Sequence, residues 1–110
     1  ASEDDRLDQV FRALGDRTRR SMLSRLAKGP ARVSELAAPF DMTLPGASKH
    51  LRVLERAGLV NRRIDGRIHR CSLNPRQLAE ARLWLRLYQR YWDETLDSLV
   101  HHMQNNSKDE

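Results

Sequence analysis

Apolar positions along most of this chain recur every three or four residues, which is the spacing of amphipathic helices with one buried face. The first such helix is predicted to end near Gly15. A second helix, with Asp16 or Thr18 as its N-cap, is predicted to end at Gly29-Pro30. The first part of the chain is therefore predicted to be helical, with a glycine where each helix ends.

A third helix over residues 34–38 is followed, after a short break, by a basic helix over residues 43–57, which we call the reading helix. Thr43 suits its N-cap, and Gly58 suits the left-handed residue that ends many helices. One face is apolar. The polar face carries Pro45, Ser48, Lys49, Arg52 and Arg56. Taken alone, this pattern also fits a surface helix with a solvated basic face.

Two short strands follow the reading helix, over residues 59–64 and 67–73, and we call this hairpin the wing. Asp65-Gly66 between them predicts a two-residue turn of type I′. A further short strand at Arg32-Val33 is expected to pair beside the wing. The cations around the turn are Arg62, Arg63, Arg67 and Arg70. Because like charges repel, this cluster indicates a polyanionic partner.

Two helices joined by a turn of about four residues, the second of them basic, are typical of a helix-turn-helix. With its wing, the chain resembles the ArsR/SmtB family of bacterial winged helix-turn-helix repressors. Over roughly residues 5 to 100, the matching stretches are VFRALGDRTRR from residue 10, VSELA from residue 33, LPGASKHL from residue 44 and LERAGLV from residue 54. Arg17 departs from the pattern, because many members carry proline there.

The resemblance implies a mainly α fold with a small β-wing, in the order α-α-(β)-α-α-β-β-α, and a dimer formed through the first and last helices. It also implies a sequence-specific repressor that occupies a promoter and blocks polymerase. The expected partners are double-stranded operator DNA, recognised as an inverted repeat, and a second copy of the chain. We expect no cofactor, and the residues identify no effector.

The reading helix is expected to enter the major groove of DNA. Ser48 and Arg52 are the candidates for base edges and Lys49 for a phosphate, while Arg63 and Arg67 on the wing would grip phosphates or enter the minor groove. The full set predicted to bind DNA is Ser34, Thr43, Pro45, Ser48, Lys49, Arg52, Arg63 and Arg67.

The last helix, residues 75–103, begins at Asn74-Pro75 and carries more apolar surface than one core can cover. A second subunit would cover the remainder. The residues predicted at the dimer interface are Leu7, Val10, Phe11, Leu85, Tyr88, Trp92, Leu96 and Leu99. A wide core-facing helix with tolerated surface aromatics is the open alternative.

Length and composition agree with a single domain over residues 1–110, ordered over about 5–103 with disordered ends. The formal net charge is +5, and 17 of the 20 basic residues are arginine, which suits phosphate and guanine contacts. No signal peptide and no membrane-spanning run is visible. A single cysteine suits a cytoplasmic protein.

Metal binding is not expected, although many members of the family bind thiophilic metals through a cysteine pair before the reading helix. Residues 34–38 carry no thiol, and Asp97, His101 and His102 make an incomplete ligand set. Cys71 is interpreted as a small buried hydrophobe that alternation turns inward. No catalytic residue is expected, because no motif pairs a nucleophile with a base.

Two histidines lie in the reading helix and the wing. His50 is interpreted as a structural residue that bonds a neighbouring backbone group, and His69 either contacts a phosphate or is exposed. Two other functions stay open. One is a metal-sensing or ligand-sensing repressor with an unrecognised effector site, and the other is a winged-helix protein-interaction module. Salt-dependent, sequence-selective DNA binding would separate a repressor from the latter.

Overall fold

The computed structural model describes residues 2–108, and the side chains of residues 2–105. Its elements, in chain order, are α1 (Glu3–Leu14), α2 (Arg17–Leu26), β1 (Ala31–Arg32), α3 (Val33–Ala37), α4 (Leu44–Arg56), β2 (Val60–Asp65), β3 (Ile68–Leu73) and α5 (Pro75–Lys108). This order confirms the predicted winged helix-turn-helix topology. The reading helix is α4, and the wing is β2, β3 and the turn between them.

The core lies between the first four helices and the inner face of the sheet. The largest fully buried side chains are Met22, Leu36, Leu51, Leu54, Leu59, Val10 and Cys71. On the reading helix, Ala47, Leu51 and Leu54 have no exposed surface, which confirms its predicted apolar face. Burying each leucine contributes about 1.5–3 kcal/mol, so this face is fixed inward and the basic face is left in solvent.

Side-chain caps fix where the helices begin. Asp16 accepts a hydrogen bond from the Arg19 amide at 3.1 Å, and Thr43 accepts one from the Gly46 amide at 3.2 Å. Asn74 accepts one from the Arg76 amide at 3.2 Å. Each cap satisfies an amide that has no partner within its own helix. The predicted starts of α2, the reading helix and α5 are therefore confirmed.

The two ends of the chain differ from the prediction of disorder. Helix α1 already begins at Glu3, because the Ser2 hydroxyl accepts the Asp5 amide at 3.2 Å and three acidic residues occupy the first turn. Helix α5 runs five residues past Met103, to Lys108. Residues 1, 109 and 110, which were also predicted to be disordered, lie outside the described residues.

The sheet is antiparallel, with strand order β1-β3-β2. Strand β1 lies one residue earlier than predicted, because Val33 already belongs to α3. The hairpin register pairs Asp65 with Ile68, so the two turn residues are Gly66 and Arg67. Gly66 has φ +62°, and no non-glycine residue among residues 2–108 has positive φ. The type I′ prediction was therefore wrong, because one positive φ at the first position belongs to type II′.

Helix α5 extends far beyond the rest of the protomer. At 34 residues it spans about 51 Å. The molecule measures 71 × 34 × 21 Å with a radius of gyration of 19.5 Å, whereas a compact chain of this length has about 13 Å. Ala81 is the last buried residue, and every residue from 82 to 105 except Thr95 is exposed. Among the described side chains, only the first two turns of α5 supply a buried residue to the home core, and Trp84 packs against Phe11 just beyond them.

Candidate nucleic-acid interface

The basic face of the reading helix is open to solvent where the helix begins. Pro45, Lys49 and Arg52 are exposed and Ser48 is half-buried. These four residues border one shallow depression along the outside of the helix. Leu44 borders it too and is 55% exposed, so an apolar residue that the sequence did not single out belongs to this surface.

A groove of about 440 Å³ separates the reading helix from the wing. Its lining residues are Arg32, Val33, Ser34, Leu44, Ser48, Arg52, Arg62, Arg67, Ile68 and His69. The Arg62 guanidinium is paired with Glu55, but those of Arg32, Arg52 and Arg67 are exposed and create a positive potential that attracts phosphate. From the set predicted to bind DNA, the structure brings Ser34, Ser48, Arg52 and Arg67 together here.

The other four residues of that set do not line the groove. Pro45 and Lys49 lie on the neighbouring depression, and the Thr43 hydroxyl is engaged as the N-cap. Arg63 lies on the opposite face of the wing, with its side chain 82% exposed and 3.7 Å from Asp65. Pro45 and Lys49 therefore lie beside the groove, whereas Arg63 lies on the far side of the wing from it.

Arg62 joins the reading helix to the wing at the floor of the groove. Its Nε donates to Oε1 of Glu55 at 2.7 Å, and its Nη1 lies 3.2 Å from Nδ1 of His69. Nη2 is 2.6 Å from the same Glu55 oxygen but makes no well-directed hydrogen bond, so Nε carries the directed contact. Because a guanidinium only donates, Nδ1 of His69 must be the acceptor.

A second network lies at the junction of α1, α2 and the reading helix. Arg19 donates to the carbonyls of Ala13 at 2.7 Å and Arg12 at 3.0 Å, which are near the end of α1. Its Nη1 is also 3.4 Å from Nδ1 of His50. His50 is structural, but its partner is the Arg19 side chain and not the backbone group that was expected. The hydrogen bond from the Arg19 amide lowers the pKa of Asp16.

Comparison with known proteins also indicates a helix-turn-helix transcriptional regulator. A family of helix-turn-helix domains matches residues 14–63. The HTH-type transcriptional regulator Rv2034 of Mycobacterium tuberculosis is 40% identical over 89 residues, which are 81% of this chain and 80% of the relative. The transcriptional repressor SdpR of Bacillus subtilis is 30% identical over 79 residues, which are 72% of this chain and 88% of the relative.

A solved structure of an ArsR family transcriptional regulator, RHA00566, matches with a TM-score of 0.78 and 41% identity, over 84% of this chain and 96% of that chain. The chain belongs to the ArsR family of winged helix-turn-helix transcriptional regulators. A homodimeric winged helix-turn-helix DNA-binding domain from Mycobacterium bovis, described as a possible ArsR-family regulator, matches with a TM-score of 0.60 and 29% identity, over 84% of this chain and 82% of that chain.

This ArsR-family chain has no thiol at residues 34–38. Within the described part of the chain, no three His, Cys, Asp or Glu residues come close enough to hold a metal ion. His101 lies 3.2 Å from the Asn105 amide nitrogen. Cys71 is fully buried, as predicted, and burial raises the pKa of its thiol. The absence of metal sensing stays a prediction.

The apolar residues predicted at the dimer interface fall into two groups. On α5, Leu85, Tyr88, Trp92, Leu96 and Leu99 are 47–55% exposed in the protomer. On α1, Leu7 and Phe11 are half-buried, and the Phe11 ring packs edge-on against Trp84 with centroids 5.3 Å apart. Val10 is 0% exposed, so it belongs to the protomer's own core and offers no surface to a partner.

Within residues 2–108, no helix has the length and apolar character that crossing a bilayer requires.

Sequence reasoning missed Glu55 and left the role of His69 open. A signal was present for His69 alone, because residues two apart on a strand share a face. Cys71 was expected to point inward, so His69 faces the same way, and Arg62 opposite Cys71 does too. Glu55 follows Leu51 and Leu54 near the end of the reading helix, where a carboxylate can meet that arginine. No local pattern indicated the pairing itself.

Proposed function

We propose that the protein is a transcriptional repressor that binds an inverted-repeat DNA operator as a homodimer. The observation that carries this proposal is the exposed basic face of the reading helix beside a groove lined by four arginines. One relative is named a transcriptional repressor, and one structural neighbour is a homodimeric DNA-binding domain. Such a repressor needs no catalytic residue, and it acts in the cytoplasm, where a bacterial chromosome lies.

In this proposal the reading helix enters the major groove and identifies the base sequence. Arg52 pairs with O6 and N7 of guanine, and the Ser48 hydroxyl contacts a neighbouring base edge. Lys49 is a compact charge and contacts a phosphate. Thr43 and Pro45, at the beginning of the reading helix, lie beside these contacts and approach the sugar-phosphate backbone of the DNA. Base contacts supply specificity, while phosphate contacts fix the register of the helix on DNA.

The wing and the beginning of α3 hold the DNA backbone. Arg67 in the turn and Arg63 on β2 contact phosphates or enter the minor groove. Ser34 lies across the groove from the wing and adds a phosphate contact. Because these contacts release counterions, binding weakens steeply as the salt concentration rises.

The exposed apolar stripe of α5 is the surface that a second copy covers. In one protomer it leaves Tyr88, Trp92 and Leu96 about half exposed, and contiguous apolar patches of this kind mark interaction sites. Leu7 and Phe11 of α1 complete the interface. A two-fold axis then relates two reading helices, so the operator is an inverted repeat with half-site centres about 10 base pairs apart or somewhat more.

Footprinting and gel-shift titration on DNA upstream of the protein's own gene test this function, and a protected region with dyad symmetry is expected. Arg52→Ala should cost about 1–3 kcal/mol at the operator and relax selectivity. Lys49→Ala should weaken binding to all DNA alike and lower the salt slope by about one unit per protomer, because each reading helix then neutralises one phosphate fewer. The control is Arg90→Ala, an exposed arginine of α5.

Two results would reject this function. One is unchanged affinity in both the Arg52→Ala and Lys49→Ala variants. The other is a protected region that has no dyad symmetry. A loss of affinity in Arg90→Ala equal to that in Lys49→Ala would show that total charge, and not the reading helix, governs binding.

A further inference from the structure

Three arginines lie side by side across the three-stranded sheet. The register places Arg32 opposite Arg70 and Arg70 opposite Arg63. Directly opposed residues of antiparallel strands share a face. On the other face the same register aligns Ala31, Cys71 and Arg62, and Cys71 is fully buried. Residues Arg32, Arg70 and Arg63, which we call the arginine row, therefore lie on the outer, solvent-facing side of the sheet.

The arginine row is unfavourable in the isolated protein. All three residues are exposed, their Cβ atoms are about 4.5–5.5 Å apart, and like charges directly opposed destabilise a sheet. Within residues 2–105, neither the Arg32 nor the Arg70 guanidinium lies at ion-pair distance from a carboxylate, although the Arg32 amide donates to Oε1 of Glu35 at 3.1 Å. Arg63 lies 3.7 Å from Asp65, but both side chains are largely exposed. This ion pair therefore offsets little of the repulsion between the arginines.

Protection of sheet edges does not explain the row. Charged side chains on edge strands discourage pairing with other chains, and β1 and β2 are both edges. Arg70, however, lies on the central strand β3, whose backbone pairs with neighbours on both sides. Its charge therefore needs another reason, and an external anion supplies one.

We propose that the arginine row is a second phosphate-binding surface, which holds DNA flanking the operator half-site; this rests on the function proposed above. The row adjoins the proposed DNA-binding residues at both ends, because Arg63 is itself one of them and Arg32, on the edge strand β1, also borders the groove. It spans about 10 Å, two strand spacings. Duplex DNA carries about six charges over that length of axis, and the arginine fork fits phosphate oxygens.

The experiment compares two duplexes, one ending at the operator and one extended by about one helical turn, ~10 base pairs, on each side. Wild-type protein binds the extended duplex more tightly. Arg70→Gln loses on the order of tenfold in affinity for the extended duplex, and its salt slope there falls by about one unit per protomer. Both duplexes then bind this variant alike. Arg70→Lys restores most of the loss, because it keeps the charge.

Arg90→Gln, on α5, is the matched control and leaves both affinities unchanged. Thermal unfolding of Arg70→Gln confirms that the fold is intact, because removing one of three opposed cations leaves the melting temperature equal or higher. Equal losses on both duplexes overturn the proposal, since Arg70 then acts within the half-site. No loss on either duplex also overturns it and leaves the row as a solvated surface or a site for an acidic protein.

The two proposals fail in different ways. If Arg52→Ala weakens binding to both duplexes while Arg70→Gln weakens neither, the reading helix is the operator interface and the arginine row is not a DNA surface. If neither Arg52→Ala nor Lys49→Ala weakens binding to either duplex, the proposed function itself has failed, and the arginine row as a flanking surface fails with it.

Discussion

Arg62 connects the two elements that border the groove, and we expect it to set their relative position without contacting DNA. It is only 14% exposed, and it links Glu55 of the reading helix with His69 of the wing. Because Arg67 in the turn projects from the same hairpin, its position relative to the reading helix depends on this link. Arg62 is therefore a positioning residue, whereas Arg52 and Arg67 are proposed to contact DNA directly.

Arg62→Gln should destabilise the fold by about 1.5–3 kcal/mol, because this change removes hydrogen bonds to charged groups and leaves Glu55 unpaired. A double-mutant cycle in DNA binding separates positioning from stability alone. Without the link through Arg62, the wing no longer holds Arg67 in a fixed position relative to the reading helix. Arg67→Ala should therefore cost much less affinity in the Arg62→Gln background than in wild type. Arg90→Ala, which is remote from the wing, should show no such coupling. Additive effects of Arg62→Gln and Arg67→Ala would contradict the positioning role.

Asp16 gives the fold a measurable acid sensitivity. The Arg19 amide lowers its pKa below the ordinary value of 3.8. A lowered pKa means that the stabilisation is fully present above that value and is lost as pH falls through the folded-state pKa. Asp16→Asn keeps the cap but cannot titrate, so its stability should fall less steeply below about pH 4. Asp16→Ala should lose about 1 kcal/mol at neutral pH. Urea unfolding at several pH values measures both, and parallel pH curves for wild type and Asp16→Asn would contradict this account.

At the level of elements, the helices could be predicted because each carries its own local signal. Thr43 and Gly58 mark the two ends of the reading helix, and its apolar spacing fixes which face is buried. The hairpin was predicted correctly, but the predicted turn type was wrong. The choice between types I′ and II′ depends on register, and a one-residue shift moved the turn from Asp65-Gly66 to Gly66-Arg67.

Links between elements could not be predicted in this way. The contacts of Arg62 with Glu55 and of Arg19 with His50 join residues that no periodicity relates. Of the arginine row, only Arg63 and Arg70 were visible in the sequence as part of a charge cluster, because the alignment with Arg32 requires the register of three strands. Local sequence therefore predicted most of the reading helix, while the groove and the row depend on tertiary pairing.

Gly58 and Gly66 both have positive φ, but they differ in the space available for a side chain. Gly66 has φ +62° and open space around it, so Gly66→Ala should cost about 1–2 kcal/mol from backbone strain alone. Gly58 has φ +75°, and a Cβ there would lie 2.8 Å from Cγ of Gln77. Gly58→Ala should therefore cost more than Gly66→Ala in chemical denaturation. Adding Gln77→Ala should remove the excess, and equal costs for the two glycine variants would refute the steric argument.

For the whole molecule, shape is the strongest argument for a partner. A protomer with a radius of gyration of 19.5 Å and an α5 whose residues 82–105 are all exposed except Thr95 is not a complete compact unit. Stacked and edge-on aromatic pairs run along that helix, including Trp84 with Tyr88 and Tyr91 with Trp92. Aromatic side chains bury large areas and are enriched at interfaces.

The protein is expected to be a dimer at micromolar concentration by light scattering, with Trp92 at the interface. Trp92 is 55% exposed in the protomer, so Trp92→Asp should spare the protomer fold. It should prevent dimerisation, because a charge buried at the interface has no partner. At 100° per residue, Arg90 lies on the other side of α5, so Arg90→Asp should remain a dimer.

The Trp92→Asp monomer should bind a single half-site weakly, because the second set of contacts is no longer held at high effective concentration. Full operator affinity in a confirmed monomer would refute recognition by a two-fold dimer.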